Sequence, residues 1–157
     1  MGSGKSTVGA LVAARAGVPH RDLDVLIEER AGTSIADLFA SRGEAAFRAL
    51  ETELLPGALE GEVVVSLGGG AVLADGNWAL IRSQALTVWL DAPLPVLMAR
   101  AYDGQRVVRP ILNGRTEAEA QAILQARLPR YSAADHRVDA VPPATMVAEE
   151  VYRLWVG

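Results

Sequence analysis

The first residues of the chain carry the residue types of a phosphate-binding loop. Gly4, Lys5 and Ser6 match the second half of the pattern G-x-x-x-x-G-K-[ST]. Glycines let backbone N–H groups approach a phosphate, the lysine reaches the β- and γ-phosphates, and the serine hydroxyl can bind Mg²⁺. A helix that starts here directs the positive end of its dipole at the anion. The pattern therefore predicts a nucleoside triphosphate site at the start of the chain.

This pattern lacks its first part. The first glycine of the motif, and the apolar strand that normally leads into such a loop, would both lie before Met1. We therefore expect the first, central strand of the sheet to be missing from this chain. Two explanations stay open, a start assigned too late in the gene or a true truncation, and the first is preferred because a gap at the sheet centre would leave both helical layers poorly packed.

Lys5 is the only lysine among 15 basic residues. The alternative to a phosphate-binding role is a plain glycine-rich turn before a helix. A lysine that occurs once, and inside Gly-Lys-Ser, favours the phosphate-binding role.

Two carboxylates follow the next short strand. Asp22 and Asp24 stand two residues apart in Pro19–Asp24, and a period of two directs both side chains to one side of a strand. A carboxylate beside a phosphate-binding loop is useful near Mg²⁺. The alternative is a solvated junction in which Asp24 caps the following helix.

Three consecutive glycines follow an apolar strand. Gly68, Gly69 and Gly70 come after the segment Glu62–Leu67, at the end of a strand where open α/β sheets bind ligands. Three glycines weaken a turn entropically, so they predict a close approach of backbone to a ligand. The alternative is an ordinary turn.

Short apolar segments alternate with helical ones along the whole chain, which indicates βα units around a parallel sheet. Strands are predicted at Pro19–Asp24, Glu62–Leu67, Leu86–Leu90 and Arg137–Val141. Helices are predicted at Thr7–Ala16, Val25–Ala31, Ile35–Ser41, Gly43–Leu59, Pro93–Ala101, Glu117–Leu128 and Ala144–Trp155. We expect a single domain over residues 1–157.

Composition narrows the function classes. The formal net charge is −4 and the basic residues form no block, which argues against a nucleic-acid surface. The absence of cysteine excludes disulfides and thiolate metal sites. No apolar segment is long enough to span a membrane and no signal peptide is visible, so we expect no membrane association and a cytoplasmic location. His20 and His136 are isolated and are interpreted as structural.

Five segments, in order, resemble those of the shikimate kinase family, and together they span nearly the whole chain. They are Gly2–Thr7, Asp22–Asp24, Ser34–Phe39 with Gly43-Glu44 and Phe47-Arg48, Leu67–Ala71, and Arg109–Leu112 with Arg127-x-Pro129-x-Tyr131. The resemblance implies a three-layer α/β/α fold with a parallel P-loop kinase sheet. It also implies ATP-dependent phosphorylation of the 3-hydroxyl of shikimate, in aromatic amino-acid biosynthesis, by a protein that we expect to be a monomer.

The resemblance assigns roles by position. Lys5, Asp24 and Arg109 would be catalytic, and Ser6 and Asp22 would hold Mg²⁺. ATP would contact the loop and Arg109, the loop residues being Gly2, Ser3, Gly4, Lys5, Ser6 and Thr7. Shikimate would contact Asp24, Arg48, Gly68, Gly69, Gly70 and Arg127, with the two arginines on its carboxylate. Helices at about residues 25–59 would bind shikimate, and a lid at about 103–116 would close over ATP.

Each arginine also has a plainer interpretation: Arg48 as a surface partner of Glu44 or Glu51, Arg127 as an exposed arginine in the same way, and Arg109 as part of a solvated loop. The chain departs from the family after its last strand, where Asp139–Pro143 contains no arginine to lie against adenine. Two other functions stay open, another small-molecule P-loop kinase such as a gluconate kinase, and a non-catalytic nucleotide-binding homologue.

Overall fold

The computed structural model describes residues 2–103 and 116–157. Most of the predicted lid, with Arg109, lies outside these residues. The described residues form seven α-helices, a short 3₁₀ helix and four strands. The helices are α1 (Lys5–Ala16), α2 (Leu23–Ala31), α3 (Ile35–Ala58), α4 (Asp75–Gln84), α5 (Leu94–Asp103), α6 (Glu117–Tyr131) and α7 (Ala144–Val156), with the 3₁₀ helix at Ala71–Leu73.

The four described strands form two parallel pairs. β1 (His20–Asp22) pairs with β2 (Val64–Ser66), and β3 (Val88–Asp91) pairs with β4 (His136–Asp139). Asp22 lies opposite Ser66 in the first pair. All four strands fall on segments that the sequence predicts, although each is shorter than or offset from its prediction by one or two residues at an end.

A cavity of about 460 Å³ separates the two pairs of strands. Both β2 and β3 line it along their length, together with apolar side chains such as Val12, Ile81 and Trp155. Among the described residues, no strand bridges β2 and β3. This gap is where a central strand would lie, and the expectation that such a strand precedes Met1 stays a prediction.

Helices cover both faces of the strands. Val64 packs into a cluster with Val8 and Val12 of α1 and Val147 of α7, whereas its neighbour Val65 packs against a second cluster. Adjacent strand residues point to opposite faces, so the two clusters lie on opposite sides of the sheet. The second cluster is built by the helices α2, α3 and α4, and its buried members include Leu23, Ile27, Leu38, Phe47, Leu55 and Ile81. The α/β class with three layers is confirmed.

Three details differ from the sequence prediction. The two helices predicted on either side of Gly43 form the single element α3, which breaks at Gly43, where φ is 77° and ψ is 175°. The helix α4 was not predicted. The helix α2 begins at Leu23, so Asp24 lies in a helix and not on the strand.

No helix among the described residues is both long and apolar enough to cross a membrane.

Candidate active site

The phosphate-binding loop leads directly into α1. The helix begins at Lys5, two residues earlier than predicted, and its N-cap Gly4 has a φ of 83°. Gly2 also has a positive φ, of 60°, and a Cβ at this position would overlap the carbonyl of Leu97 in α5. Both glycines are therefore required by the backbone, as a loop wrapped around a phosphate needs. Ser3 is buried and Thr7 is exposed.

Ser6 and Asp22 lie side by side. The Ser6 hydroxyl donates a hydrogen bond to one carboxylate oxygen of Asp22, and the other oxygen accepts from the backbone N–H of Asp24 at 3.0 Å. Asp22 is therefore the N-cap of α2. The alternative in which Asp24 caps this helix is wrong, because the strand ends at Asp22 and Asp24 occupies the first turn.

The Ser6–Asp22 pair suits Mg²⁺ in chemistry. Hydroxyl and carboxylate oxygens are its preferred ligands, and in kinases one or two protein groups suffice because phosphate oxygens and water complete the shell. No group of three or more acidic or histidine side chains within residues 2–103 and 116–157 is arranged to hold a metal ion without such help.

Polar side chains of the protein occupy the space beside each of the three consecutive glycines. A Cβ on Gly68 would lie 2.8 Å from Glu51 Oε1 and 3.0 Å from Asp24 Oδ1. A Cβ on Gly69 would lie 2.9 Å from the Tyr131 hydroxyl and 3.0 Å from Arg127 Nη1, and one on Gly70 would overlap the guanidinium of Arg48.

None of these three glycines has a positive φ. They are needed because polar side chains from α2, α3 and α6 press on three consecutive residues. The protein's own side chains therefore make the close approach for which the glycines leave room. The approach of a ligand to this turn stays a prediction.

Arg48 is anchored by two carboxylates. Its Nη1 donates to Glu51 Oε2 at 2.6 Å, and its Nη2 lies 3.2 Å from Glu44 Oε1. Burial alone would lower the pKa of Arg48, but the hydrogen bonds and charges of Glu51 and Glu44 raise it. The guanidinium is therefore charged and fixed in direction. The plainer interpretation of Arg48 predicted these ion pairs correctly, but the contact with Gly70 places them inside the site.

Glu51 is a site residue that sequence reasoning missed. Its side chain is only 1% exposed, and Oε1 has no hydrogen-bond partner among the described residues. Burial raises the pKa of Glu51, the hydrogen bond and charge of Arg48 lower it, and the charge of Asp24 raises it, with a net rise. The signal was present in the sequence: Phe47, Glu51 and Leu55 are four residues apart on one helical face, and all three are buried.

Arg127 and Tyr131 bring α6 to the turn. Arg127 is 7% exposed, and the Tyr131 hydroxyl donates to the carbonyl of Gly69 at 2.7 Å. Tyr131 is a second residue whose contact the sequence analysis did not predict, although it stands in the motif that contains Arg127.

The phosphate-binding loop and the glycine turn both border the cavity that separates β2 from β3. Ser3 and Lys5 line it from the loop, Gly68 and Gly69 from the turn, and Arg127 from α6. The start of α1, the Ser6–Asp22 pair and a glycine turn faced by two arginines thus lie at one end of the sheet. This combination, on a three-layer α/β fold, defines a P-loop kinase.

Comparisons with known proteins identify the family. The shikimate kinase family model matches residues 1–154, and the chain belongs to that family. A shikimate kinase from Salinibacter ruber is 43% identical over 161 residues, which cover 96% of this chain and 78% of that protein.

Solved structures agree with this assignment. Shikimate kinase from Aquifex aeolicus has a TM-score of 0.85 and 35% identity, covering 100% of this chain and 92% of that one. Shikimate kinase from Acinetobacter baumannii in complex with shikimate has a TM-score of 0.89 and 29% identity, covering 99% of this chain and 88% of that one. A gluconokinase from Sinorhizobium meliloti, with a TM-score of 0.62 and 20% identity, shares the fold alone.

Proposed function

We propose that this chain transfers the γ-phosphoryl group of ATP to the 3-hydroxyl of shikimate, giving ADP and shikimate 3-phosphate. The observation that carries the proposal is the glycine turn, where Arg48, Arg127 and Asp24 meet three consecutive residues. Two guanidinium groups suit a carboxylate, and an adjacent carboxylate suits hydroxyls, so the surface matches a carboxylated polyol. The Acinetobacter baumannii relative was solved in complex with shikimate, which supports this acceptor.

Asp24 is the group proposed to direct the acceptor. Its carboxylate Oδ1 faces Gly68, on the side of the turn nearest Glu51. There it would accept a hydrogen bond from the 3-hydroxyl and orient the oxygen for attack on the γ-phosphorus. As the new P–O bond forms and the bond to the β-phosphate oxygen breaks, the hydroxyl proton passes to the Asp24 carboxylate and ADP leaves.

The phosphate-binding loop is proposed to stabilise the charge that develops during transfer. The Lys5 ammonium would lie against the β- and γ-phosphates, and the backbone N–H groups of residues 2–7 would surround the β-phosphate. Ser6 and Asp22 would hold Mg²⁺, which neutralises phosphate charge when it is bound. Arg109 lies outside the described residues, and its role as a lid arginine on the phosphates is carried as a proposal from the family resemblance.

A coupled assay tests the reaction. ADP release is measured with ATP, Mg²⁺ and either shikimate or gluconate, and the product is identified by mass spectrometry and ³¹P NMR. We expect turnover with shikimate alone. Turnover with gluconate but not shikimate would make the chain a different small-molecule kinase. ATP binding without turnover on either acceptor would support the non-catalytic homologue.

The remaining expectations about partners and location belong to this proposal. We propose a cytoplasmic monomer that binds ATP and shikimate and associates with neither nucleic acid nor membrane. The formal net charge of −4 supports the absence of a nucleic-acid partner. Sedimentation with and without both substrates tests the oligomeric state.

A further inference from the structure

A hydrogen-bond chain connects the sheet to the backbone of the phosphate-binding lysine. The Ser66 hydroxyl, at the end of β2, donates to the Lys5 carbonyl at 3.0 Å. The same hydroxyl oxygen lies 2.9 Å from Nε2 of His20 in β1. Ser66 is 4% exposed, so this chain is shielded from water at its centre.

The order of donors in this chain is fixed by elementary chemistry. A carbonyl can only accept, so the single hydroxyl proton of Ser66 is committed to Lys5. The Ser66 oxygen must then accept from His20, which requires a proton on Nε2. The geometry therefore assigns the Nε2–H tautomer to neutral His20.

The helix α1 has a glycine where it meets this pair. A Cβ on Gly9 would lie 2.6 Å from Ser66 Oγ and 2.8 Å from His20 Nε2. Gly9 is buried, one helical turn after Lys5, so its missing side chain makes room for the imidazole and the hydroxyl between α1 and the sheet. At Gly9, therefore, α1 meets the sheet through the polar side chains of His20 and Ser66.

We infer that His20 and Ser66 are positioning residues that hold the phosphate-binding loop in register with the sheet. Lys5 is the first residue of α1, so fixing its carbonyl fixes the start of the helix that faces the phosphates. The same sheet pair carries Asp22, which lies opposite Ser66 and contacts Ser6. The pair acts on the loop through the Lys5 carbonyl and is not assigned a contact with substrate. This inference rests on the proposed function only where kcat and KM are measured.

Three substitutions test whether His20 and Ser66 position the phosphate-binding loop or only stabilise the fold. Ser66→Ala removes the hydroxyl, and His20→Met removes the donor at similar volume. His20→Gln keeps an N–H donor near the position of Nε2. Ser83→Ala is the matched control, because its hydroxyl also donates to a backbone carbonyl, that of Leu80, on the exposed surface of α4.

We expect Ser66→Ala and His20→Met to weaken ATP binding about 3- to 10-fold, the value of one lost hydrogen bond. The kcat should fall by a similar factor, while the KM for shikimate changes less than about twofold because the acceptor groups lie on the glycine turn. His20→Gln should recover most of the ATP affinity, and Ser83→Ala should match the unmodified chain. ATP affinity is measured by calorimetry, so this test runs even if no turnover is found.

The tautomer provides an independent test. The chain contains two histidines, so ¹⁵N-histidine labelling gives a simple spectrum in which His136→Gln identifies His20. At pH 8 we expect the long-range ¹H–¹⁵N correlations and ¹⁵N shifts of a pure Nε2–H form, and in Ser66→Ala we expect these shifts to move toward the tautomer-averaged values of a free imidazole. A neutral Nδ1–H form would overturn the inference. So would a Ser66→Ala chain that melts at lower temperature but binds ATP as tightly as before, because the pair would then only support the fold.

Discussion

Replacing Arg48 by methionine tests whether the buried Glu51 depends on its partner. In Arg48→Met the guanidinium is lost and the stem is kept, so Glu51 retains its burial but loses a 2.6 Å charge-assisted hydrogen bond. The opposite substitution, Glu51→Gln, removes the buried charge and leaves Arg48 with Glu44 and solvent, since 27% of the Arg48 side chain is exposed. The two variants break one ion pair from opposite sides.

The expected costs differ because burial differs. Breaking a buried ion pair and leaving a charge behind costs about 3–5 kcal/mol of unfolding free energy. Arg127 still lowers the pKa of Glu51 by its charge, so we expect the lower end, about 3 kcal/mol, for Arg48→Met at pH 8. Glu51→Gln should cost about 1 kcal/mol or less, because the group left behind reaches water.

The pH dependence has a definite sign. Without Arg48 the main cause that lowers the pKa of Glu51 is gone, while burial and Asp24 still raise it. Above the ordinary glutamate value of about 4.3, the folded variant then holds a proton that the unfolded chain releases. A folded state that binds more protons loses stability as pH rises, so the cost of Arg48→Met should be larger at pH 8 than at pH 5.

Urea unfolding at both pH values, followed by tryptophan fluorescence, measures these costs. Arg30→Met is the matched control, because Arg30 pairs with Glu53 on the surface, where both side chains are more than half exposed. It should change stability by less than about 1 kcal/mol at either pH. The double variant Arg48→Met/Glu51→Gln should be more stable than Arg48→Met alone. Equal costs at both pH values, or a double variant that shows the sum of the two losses, would refute the reasoning.

Four further predictions address the site and the cavity. Lys5→Ala should lower kcat by about 100-fold or more without lowering the melting temperature, since it removes charge stabilisation in the closed site, and a near-normal rate would contradict the loop assignment. Arg127→Ala should raise the KM for shikimate about 10- to 100-fold, as expected for a charged hydrogen bond, and an equal loss of ATP affinity in calorimetry would place this arginine on the nucleotide instead. Gly70→Ala should weaken shikimate binding because its Cβ would overlap the Arg48 guanidinium, whereas Gly76→Ala in α4, with open space around it, should bind normally in the same titration. A chain extended before Met1 by an apolar strand should melt at a higher temperature and bind ATP more tightly than the 157-residue chain, because the strand would pair with β2 and β3; equal values would contradict this account of the cavity.

The sequence predicts the strands and the phosphate loop because these depend on short patterns. Apolar runs bounded by turn residues locate all four described strands, and Gly-Lys-Ser locates the start of α1 to within two residues. The helix α4 escapes this reasoning because its ten residues, DGNWALIRSQ, include an early glycine and few apolar residues. It is held by the packing of Ile81 into the second cluster and by the hydrogen bond from Asn77 to the Ala71 carbonyl, neither of which a helical pattern encodes.

The site is predicted in part. The structure brings Asp22 to Ser6, and Arg48 and Arg127 to the glycine turn, while the binding roles that the resemblance gives them stay predictions. The interpretation of the three glycines changes, because side chains of the protein itself approach them. The side chains that contact these glycines come from helices far apart in the chain. A local sequence pattern therefore does not predict which side chain contacts which glycine. Glu51 was open to prediction from its four-residue spacing with Phe47 and Leu55, since a carboxylate on a core face needs a buried partner.

The glycine turn also bears on the order in which the chain folds. Asp24 and Glu51 reach it from α2 and α3, which pack on each other and follow each other closely in sequence. Tyr131, however, bonds the carbonyl of Gly69 from 62 positions away. Closing a loop of that length costs more chain entropy than joining α2 to α3, so we expect the docking of α6 to follow the pairing of these two helices.

The set of polar side chains around the glycine turn is therefore complete only when α6 has docked. Recovery of shikimate binding during refolding should lag behind the recovery of helical signal, and the lag measures the docking of α6.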